Sequence, residues 1–317
     1  MPMLVFRTPF RPNLSGCAVT IGNFDGVHCG HQAMLQKLVA KARALNLPAA
    51  VMTFEPHPRE LFSPDAAPAR LTSLREKLEL FAAHGVDQVY ICHFNRGFAS
   101  LSAEHFVDDI LTRQLGARYI LIGDDFQFGA KRAGNLAILQ AAAASHGFEV
   151  EAMHSVCVGE LRVSSTAVRE ALAGGDMELA AQLLGRPYSI SGRVLHGDKI
   201  GRTLGFPTAN IQVKHNKPPL TGICVVQVHG LRQGPVRGVA SLGVRPTINN
   251  QGKLSLEVNI FDFAGDIYGQ HLRVDFLHKL RDEEKYPDLD TLTQAIARDV
   301  ANARDFFAAL DGRNGER

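Results

Sequence analysis

Ala18-Val19-Thr20-Ile21-Gly22-Asn23-Phe24-Asp25-Gly26-Val27-His28-Cys29-Gly30-His31 is the stretch on which the reading of this chain turns. Its first four residues are a short apolar, β-branched run, the pattern of a strand buried on both faces. Gly22, Gly26 and Gly30 supply a turn. Beyond His31, Met34, Leu35, Leu38, Val39, Ala42 and Leu45 recur at helical spacing. A strand, a glycine-rich turn and a helix N-terminus together make an anion site, because unpaired backbone N–H groups and the helix dipole face one spot. His28 and His31 add two imidazole donors there. Such fixed donors suit a triphosphate attacked at its α-phosphorus while pyrophosphate leaves, since they stabilise charge as it develops on the phosphate oxygens. Cys29 invites a zinc reading, but no carboxylate or second cysteine stands nearby at ligand spacing. On a helical turn Cys29 also points away from both histidines.

The bulk composition limits the alternatives. At 317 residues the chain is long enough for two domains with separate cores. Its 45% hydrophobic and 21% charged content is ordinary for a soluble globular protein. A formal charge of +2 gives no global basic field, so no nucleic-acid partner is implied and phosphate recognition must be local. The five cysteines, Cys17, Cys29, Cys92, Cys157 and Cys224, are scattered and show no CxxC spacing, which favours a reducing compartment. The N-terminal MPMLVFRTPF is too short and too interrupted by proline for a signal peptide. No apolar run is long enough for a membrane span. The expectation is a cytoplasmic protein with no membrane partner.

Outward from the opening stretch, strand-like and helix-like segments alternate up to about residue 185. Ala49–Phe54, Gln88–Cys92 and Tyr119–Ile122 read as buried strands, and Leu74–His84 and Ala103–Leu115 as helices. Repeated βα units of this kind predict a doubly wound parallel sheet, with ligands at the carboxyl ends of its strands. Neither GxxxxGK[ST] nor a GxGxxG after a strand is present. Near Gly185-Arg186-Pro187 the character changes. Ile190–Val194, Ile223–Val228, Val236–Leu242, Leu254–Ile260 and Leu272–Phe276 read as five strands, predicting a small antiparallel β-barrel. A final helix carries Leu289, Leu292, Ile296, Val300, Ala303, Phe307 and Leu310 as a stripe that packs on the barrel. The domains are expected at 1–185 and 186–317, an α/β chain with a closing barrel domain.

Three further strings fall where a site at the top of a sheet needs them. Phe54-Glu55-Pro56-His57-Pro58 follows a strand and is stiffened by its prolines. Gly123-Asp124-Asp125-Phe126-Gln127-Phe128-Gly129 offers carboxylates beside aromatics. Val163-Ser164-Ser165-Thr166-Ala167-Val168-Arg169 opens a helix with hydroxyls, and Arg169 lies one turn in. With the GxFDGxHxGH string Gly22–His31, these resemble the FxPHP, GxDFxFG and SSTxxR motifs of bacterial FAD synthetases, the flavin-adenylylating branch of the nucleotidylyltransferases. The resemblance runs to about Leu184. It implies an ATP site built from Gly22, Asn23, Asp25, Gly26, His28 and His31, joined by Asp125, Ser164, Ser165, Thr166 and Arg169. His28, His31, Ser165 and Arg169 would handle phosphates, and Asp125 would lie near the adenosine sugar or the metal. Phe62, Phe106 and Phe128 would contact the flavin.

A second strong string spans Gly192 to Asn210. Gly197, Gly201 and Gly205 recur every four residues with Lys199 and Arg202 between them, a loop able to bring backbone N–H groups and cations against phosphates. Pro207-Thr208-Ala209-Asn210 follows. Thr208 and Asn210 project to one face and, as neutral oxygen ligands, suit Mg²⁺. In Leu256-Glu257-Val258-Asn259-Ile260, Glu257 shares a face with Asn259, and it is a candidate base for a hydroxyl attacking a γ-phosphate. GRxxGxPTAN, this Glu strand, Asp262-Phe263, Tyr268-Gly269 and Leu280-Arg281-Asp282-Glu283-Glu284-Lys285-Tyr286 resemble the riboflavin kinase pattern, with Tyr286 where Phe is usual. That resemblance covers about Arg186 to Leu310. Together the two halves imply a bifunctional enzyme acting on riboflavin, FMN, FAD and ATP with Mg²⁺, Glu257 serving as base. A flavin sensor that has lost its chemistry is disfavoured by the presence of both histidines, Thr208, Asn210 and Glu257. A nucleotidylyltransferase for another alcohol phosphate is disfavoured by the PTAN loop.

Overall fold

The computed structural model describes residues 2–8, 10, 12–196, 204–214, 217–245 and 253–315, side chains 245, 253, 314 and 315 excepted. Two compact units result. The first comprises the chain up to Pro68 together with Leu74–Ser164; the second comprises Ala69–Ser73 and the chain from Ser165 onward.

In the first unit six strands form one sheet: β1 (Leu4–Arg7), β2 (Cys17–Ile21), β3 (Ala49–Glu55), β4 (Gln88–His93), β5 (Ala117–Gly123) and β6 (Glu149–Met153). Their order is β1-β4-β3-β2-β5-β6, and every pairing is parallel. All five β2 residues are buried. Cys17, Val19 and Ile21 enter one hydrophobic cluster and Ala18 another, on the opposite face, so period-two alternation feeds two cores. The chain leaves β2 for β3 and β4 on one side and later returns to place β5 on the other. The gap beyond the carboxyl ends of β2 and β5 is therefore the switch point where open α/β sheets take their ligands. The helix Cys29–Ala44 starts there, burying Leu35, Leu38 and Ala42. The segment expected as a helix at Ala103–Leu115 begins as an α-turn and continues as a π-helix over Phe106–Gln114. Phe106, Val107, Ile110 and Leu111 all become buried on this wider winding. A hairpin of β7 (Cys157–Val158) and β8 (Leu161–Arg162) completes the unit's strands.

The second unit is built on a closed antiparallel barrel of β9 (Tyr188–Leu195), β10 (Ala209–Ile211), β11 (Gly222–His229), β12 (Val236–Arg245), β13 (Lys253–Ile260) and β14 (His271–Arg281), in the order β10-β13-β12-β11-β14-β9. Periodicity marks five of these strands. The sixth, β10, has three residues, too few to show alternation, yet its pairing with both β9 and β13 closes the barrel. The helices Ser165–Ala173 and Met177–Leu184 belong to this unit, and the latter packs against β9 and β14. The compact units therefore divide after Ser164, whereas the composition changes at Gly185. The difference is physical: these two helices still read as part of the βα alternation, although their packing partners come later in the chain.

The terminal helix Leu289–Gly315 buries Ala295, Ala303 and Phe307 against the barrel. Three arginine–aspartate pairs bind it in place. Arg281 holds Asp299 at 2.9 and 2.6 Å, Arg304 holds Asp262 at 3.1 and 2.8 Å, and Arg237 holds Asp311 at 2.8 and 2.5 Å. Only Asp299 is buried among the three carboxylates, so its pair is the one least screened by water. Asp299→Ala is expected to destabilise the barrel unit by about 2 kcal/mol, less than for a fully buried pair because Arg281 reaches solvent. Asp311→Ala should leave the urea midpoint almost where it was. Equal shifts in the two variants would show that burial does not rank these pairs.

Candidate functional site

In the first unit, the residues after β2 form one compact turn. Phe24 (φ 50°), Gly26 (φ 83°) and Val27 (φ 41°) all lie in the left-handed region. Glycine enters that region freely, whereas a β-branched valine is held there only when its surroundings over-determine it. Phe24 supplies part of that restraint. Its ring is buried edge-on against Phe81 at 5.4 Å and tilted over His31 at 4.9 Å. The Asn23 carbonyl accepts from Lys77 Nζ at 2.7 Å and Thr53 Oγ1 at 3.3 Å, and the Val27 carbonyl accepts from Gln32 Nε2 at 2.8 Å.

The turn delivers His28 to the N-cap of the helix Cys29–Ala44, where Nδ1 accepts from the His31 N–H at 3.3 Å. An accepting Nδ1 leaves the ring proton of a neutral imidazole on Nε2, which fixes His28 as an Nε2 donor. The two rings stack at 3.6 Å with 15° between their planes. Burial first, then the neighbouring His28 and the Lys77 ammonium, hold the His31 imidazole well below its usual range, so it is neutral at physiological pH. Its buried Nδ1 has no hydrogen-bond partner among the described residues. Asp25 is buried in the same turn. Gly22, Asn23, Asp25, Gly26, His28 and His31 are thus brought together at the switch point.

Asp125 follows the adjacent strand β5 and pairs with Arg162 of the hairpin at 2.8 Å. Of the string 164–169, Ser164 closes the first unit. Ser165, Thr166 and Arg169 open the first helix of the second, where Arg169 Nε donates to the Ala69 carbonyl at 2.6 Å. The three predicted aromatics have unlike surroundings: Phe62 is 65% exposed, whereas Phe106 and Phe128 are core residues packed on each other at 5.2 Å. They are the visible members of a longer chain of rings. Phe62 meets Phe94 at 5.9 Å, Phe94 meets Phe98 at 5.8 Å, and Phe98 meets Phe106 at 6.2 Å, with Phe54 against Phe94 at 5.7 Å. Phe94 and Phe98 escaped the sequence reading because His93-Phe94-Asn95-Arg96-Gly97-Phe98 has no periodic pattern. Lys77 escaped it because a lysine in an amphipathic helix reads as solvent-facing.

The second site is a cavity of about 570 Å³ in the barrel unit. Thr208, Asn210, Ser241, Glu257 and Asn259 line one side of it, Arg281, Glu283, Lys285 and Asp299 add charged groups, and Leu292 and Ile296 of the terminal helix are apolar. Strand register explains the polar wall. Glu257 on β13 lies opposite Asn210 on β10 and opposite Ser241 on β12, so three polar residues cross the sheet in one row. Thr208 Oγ1 stands 3.5 Å from Glu257 Oε2, and the Asn259 amide donates to the Pro207 carbonyl at 2.8 Å, tying the PTAN segment to the Glu257 strand. Glu283 accepts from Ser241 Oγ at 3.0 Å and lies so close over Gly243 that a side chain there would displace it. Gly205 takes φ 84° at the entry to the PTAN segment. Gly197, Lys199, Gly201 and Arg202 lie outside the described residues. No group of three or more His, Cys, Asp or Glu side chains able to hold a metal occurs among the described residues.

A parallel-sheet unit with paired imidazoles at its switch point, joined in one chain to a barrel with a Thr/Asn/Glu cavity, defines a two-domain nucleotide-using transferase. The FAD synthetase family pattern matches residues 10–167, and the riboflavin kinase pattern matches residues 184–307. The chain is 49% identical over 292 residues to the bifunctional riboflavin kinase/FMN adenylyltransferase of Escherichia coli K12, covering 92% of this chain and 93% of that protein. It is 51% identical to the protein so named in Haemophilus influenzae, covering 93% and 95% of the two chains. Among solved structures, one described as a macrolide-efflux protein from Streptococcus pneumoniae superposes with a TM-score of 0.79 at 30% identity, over 94% of this chain and 97% of that one. No described helix here is long and apolar enough to cross a membrane. The chain belongs to the bifunctional riboflavin kinase/FMN adenylyltransferase family.

Gly30 gives a direct check of the first site. A methyl at this position would stand 3.3 Å from Cε1 and Nδ1 of the His28 ring. Gly30→Ala gains up to ~1 kcal/mol of helix propensity, offset by weakening of the His28 cap, so the thermal midpoint should change little. The displaced His28 ring should meanwhile slow FAD formation roughly tenfold and leave FMN formation untouched, as followed by chromatography of the flavins.

Proposed function

We propose that the barrel unit transfers the γ-phosphate of ATP to the terminal ribityl hydroxyl of riboflavin, and that the sheet unit then joins FMN to the adenylyl group of a second ATP. In the first reaction the hydroxyl oxygen bonds to the γ-phosphorus and the bond to the β–γ bridging oxygen breaks. ADP leaves, and the hydroxyl proton passes to Glu257. In the second, an FMN phosphate oxygen bonds to the α-phosphorus and the α–β bridge breaks, releasing pyrophosphate. A phosphate oxygen is already a nucleophile, so this step needs no base and relies on stabilisation of charge.

The observation that carries the reading is the convergence of Thr208, Asn210 and Glu257 on one cavity. Their oxygens form a hard, mostly neutral donor set, which fits Mg²⁺ provided phosphates complete the shell. Bound there, Mg²⁺ would neutralise charge on the transferring phosphate. Thr208 and Asn210 are the proposed holders, and Glu257 beside them orients and deprotonates the hydroxyl. Gly205 and Pro207 shape the approach of the nucleotide. In the sheet unit, the Nε2–H of His28 and the neutral His31 are proposed as donors to the ATP phosphates, with Asp125 toward the adenosine. The motifs assign phosphate contacts to Ser165 and Arg169. The ring chain ending at exposed Phe62 supports an apolar berth for the flavin, with Phe106 and Phe128 behind it. ATP as co-substrate and a cytoplasmic setting follow from the same reading.

The test is incubation with riboflavin, ATP and Mg²⁺, expecting FMN and then FAD. His28→Ala should lower FAD formation by on the order of 10²-fold while FMN still forms. Glu257→Ala should stop FMN formation yet make FAD when FMN is supplied. Loss of both activities in either variant would contradict two separate centres.

A further inference from the structure

We propose that Lys77 is a positioning residue for adenylyl transfer. Its buried ammonium clamps the Asn23 carbonyl and, together with Phe81, holds the left-handed turn that aims His28 and His31. The inference rests on those imidazoles serving the ATP phosphates and adds a residue to that site.

Lys77 is only 5% exposed, on the helix Leu74–Ala83. Burying an ammonium is unfavourable unless polar partners replace its water, so a lysine here is a costly choice for mere packing. It donates to the Asn23 carbonyl at 2.7 Å. Four residues on, and so on the same helix face, Phe81 meets the Phe24 ring edge-on at 5.4 Å. One helix face therefore grips two consecutive turn residues, one by hydrogen bond and one by aromatic contact. Phe24 passes the restraint to His31 through their 4.9 Å ring contact, and His31 passes it to His28 through the stack at 3.6 Å. The strained φ angles of Phe24 and Val27 need such a restraint from outside the turn.

The charge of Lys77 adds a second effect. A fixed cation behind the turn favours an anion in front of it and opposes a proton on His31. Among the described residues, the charges that lower the His31 titration are those of His28, on its own turn, and Lys77, on the packed helix; the buried Asp25 stands in the same turn. Removing the ammonium therefore makes His31 easier to protonate, and its titration should move to higher pH.

Lys77→Met in the full chain separates positioning from simple packing. The turnover number for FAD formation from FMN should fall by on the order of 10²-fold, the cost of small misplacement at a reacting centre. KM for FMN should change little and FMN formation from riboflavin should persist. The Cε1–H resonance of His31 should titrate at higher pH than in the unaltered protein. Lys77→Gln keeps an N–H for the carbonyl but loses the charge. It should recover part of the turnover and retain the His31 shift, and it decides the question alone if the methionine variant does not fold. Unchanged turnover, or an unmoved His31 titration in a folded variant, would overturn the proposal. His28→Ala, assayed in parallel, keeps the two readings apart. If it retains FAD formation, the assignment of the site fails; if it loses FAD formation while Lys77→Met does not, only the role of Lys77 fails.

Discussion

The hydrogen bond from the His31 N–H to His28 Nδ1 is the contact through which the first site is organised. A histidine that caps its own helix spends one ring nitrogen on the backbone and has only Nε2–H left to offer. That single bond sets the tautomer, the ring plane and the start of the helix together. It also requires the chain to arrive at His28 from a backbone path that ordinary residues avoid, which explains left-handed Phe24 and Val27. The strain is local, and the grip of the helix Leu74–Ala83 on Asn23 and Phe24 offsets it.

The barrel meets a different demand. The proposed transfer to a hydroxyl needs a carboxylate that stands among apolar strands and faces the cavity. Register does this. The buried Leu256, Val258 and Ile260 commit one face of β13 to the core, so Glu257 and Asn259 must face the other way, toward the cavity. The terminal helix adds Leu292 and Ile296 to the wall of this cavity, and the paired Asp299 and Arg281 line it as well.

In the proposed reading the two centres divide the chemistry of phosphate by what each attacking group lacks. A phosphate oxygen needs only shielding and aim, and the first unit supplies two imidazoles near a helix N-terminus. A ribityl hydroxyl needs a base, and the second unit supplies a carboxylate among hydroxyl and amide oxygens. Neither centre requires an extended basic surface, in keeping with a chain of formal charge +2.

Local order was legible from residues alone because it is written at short range. The β2 strand, its glycine turn, the helix after His31, the five longer barrel strands and the terminal helix all show their period within a dozen residues, and the paired histidines and the PTAN string are contiguous. What required the folded chain depends on partners far apart in sequence. The three-residue β10 is a strand only because β9 and β13 flank it. Lys77 can be buried because partners such as the Asn23 carbonyl, more than fifty positions earlier, turn toward it. Phe94 and Phe98 join Phe62 and Phe106 through sheet order, and the helix Met177–Leu184 sides with the barrel because β9 and β14 offer the surface it covers. Periodicity records which face of an element is apolar; only tertiary packing decides what meets that face, because contact energies depend on neighbours that no local window contains.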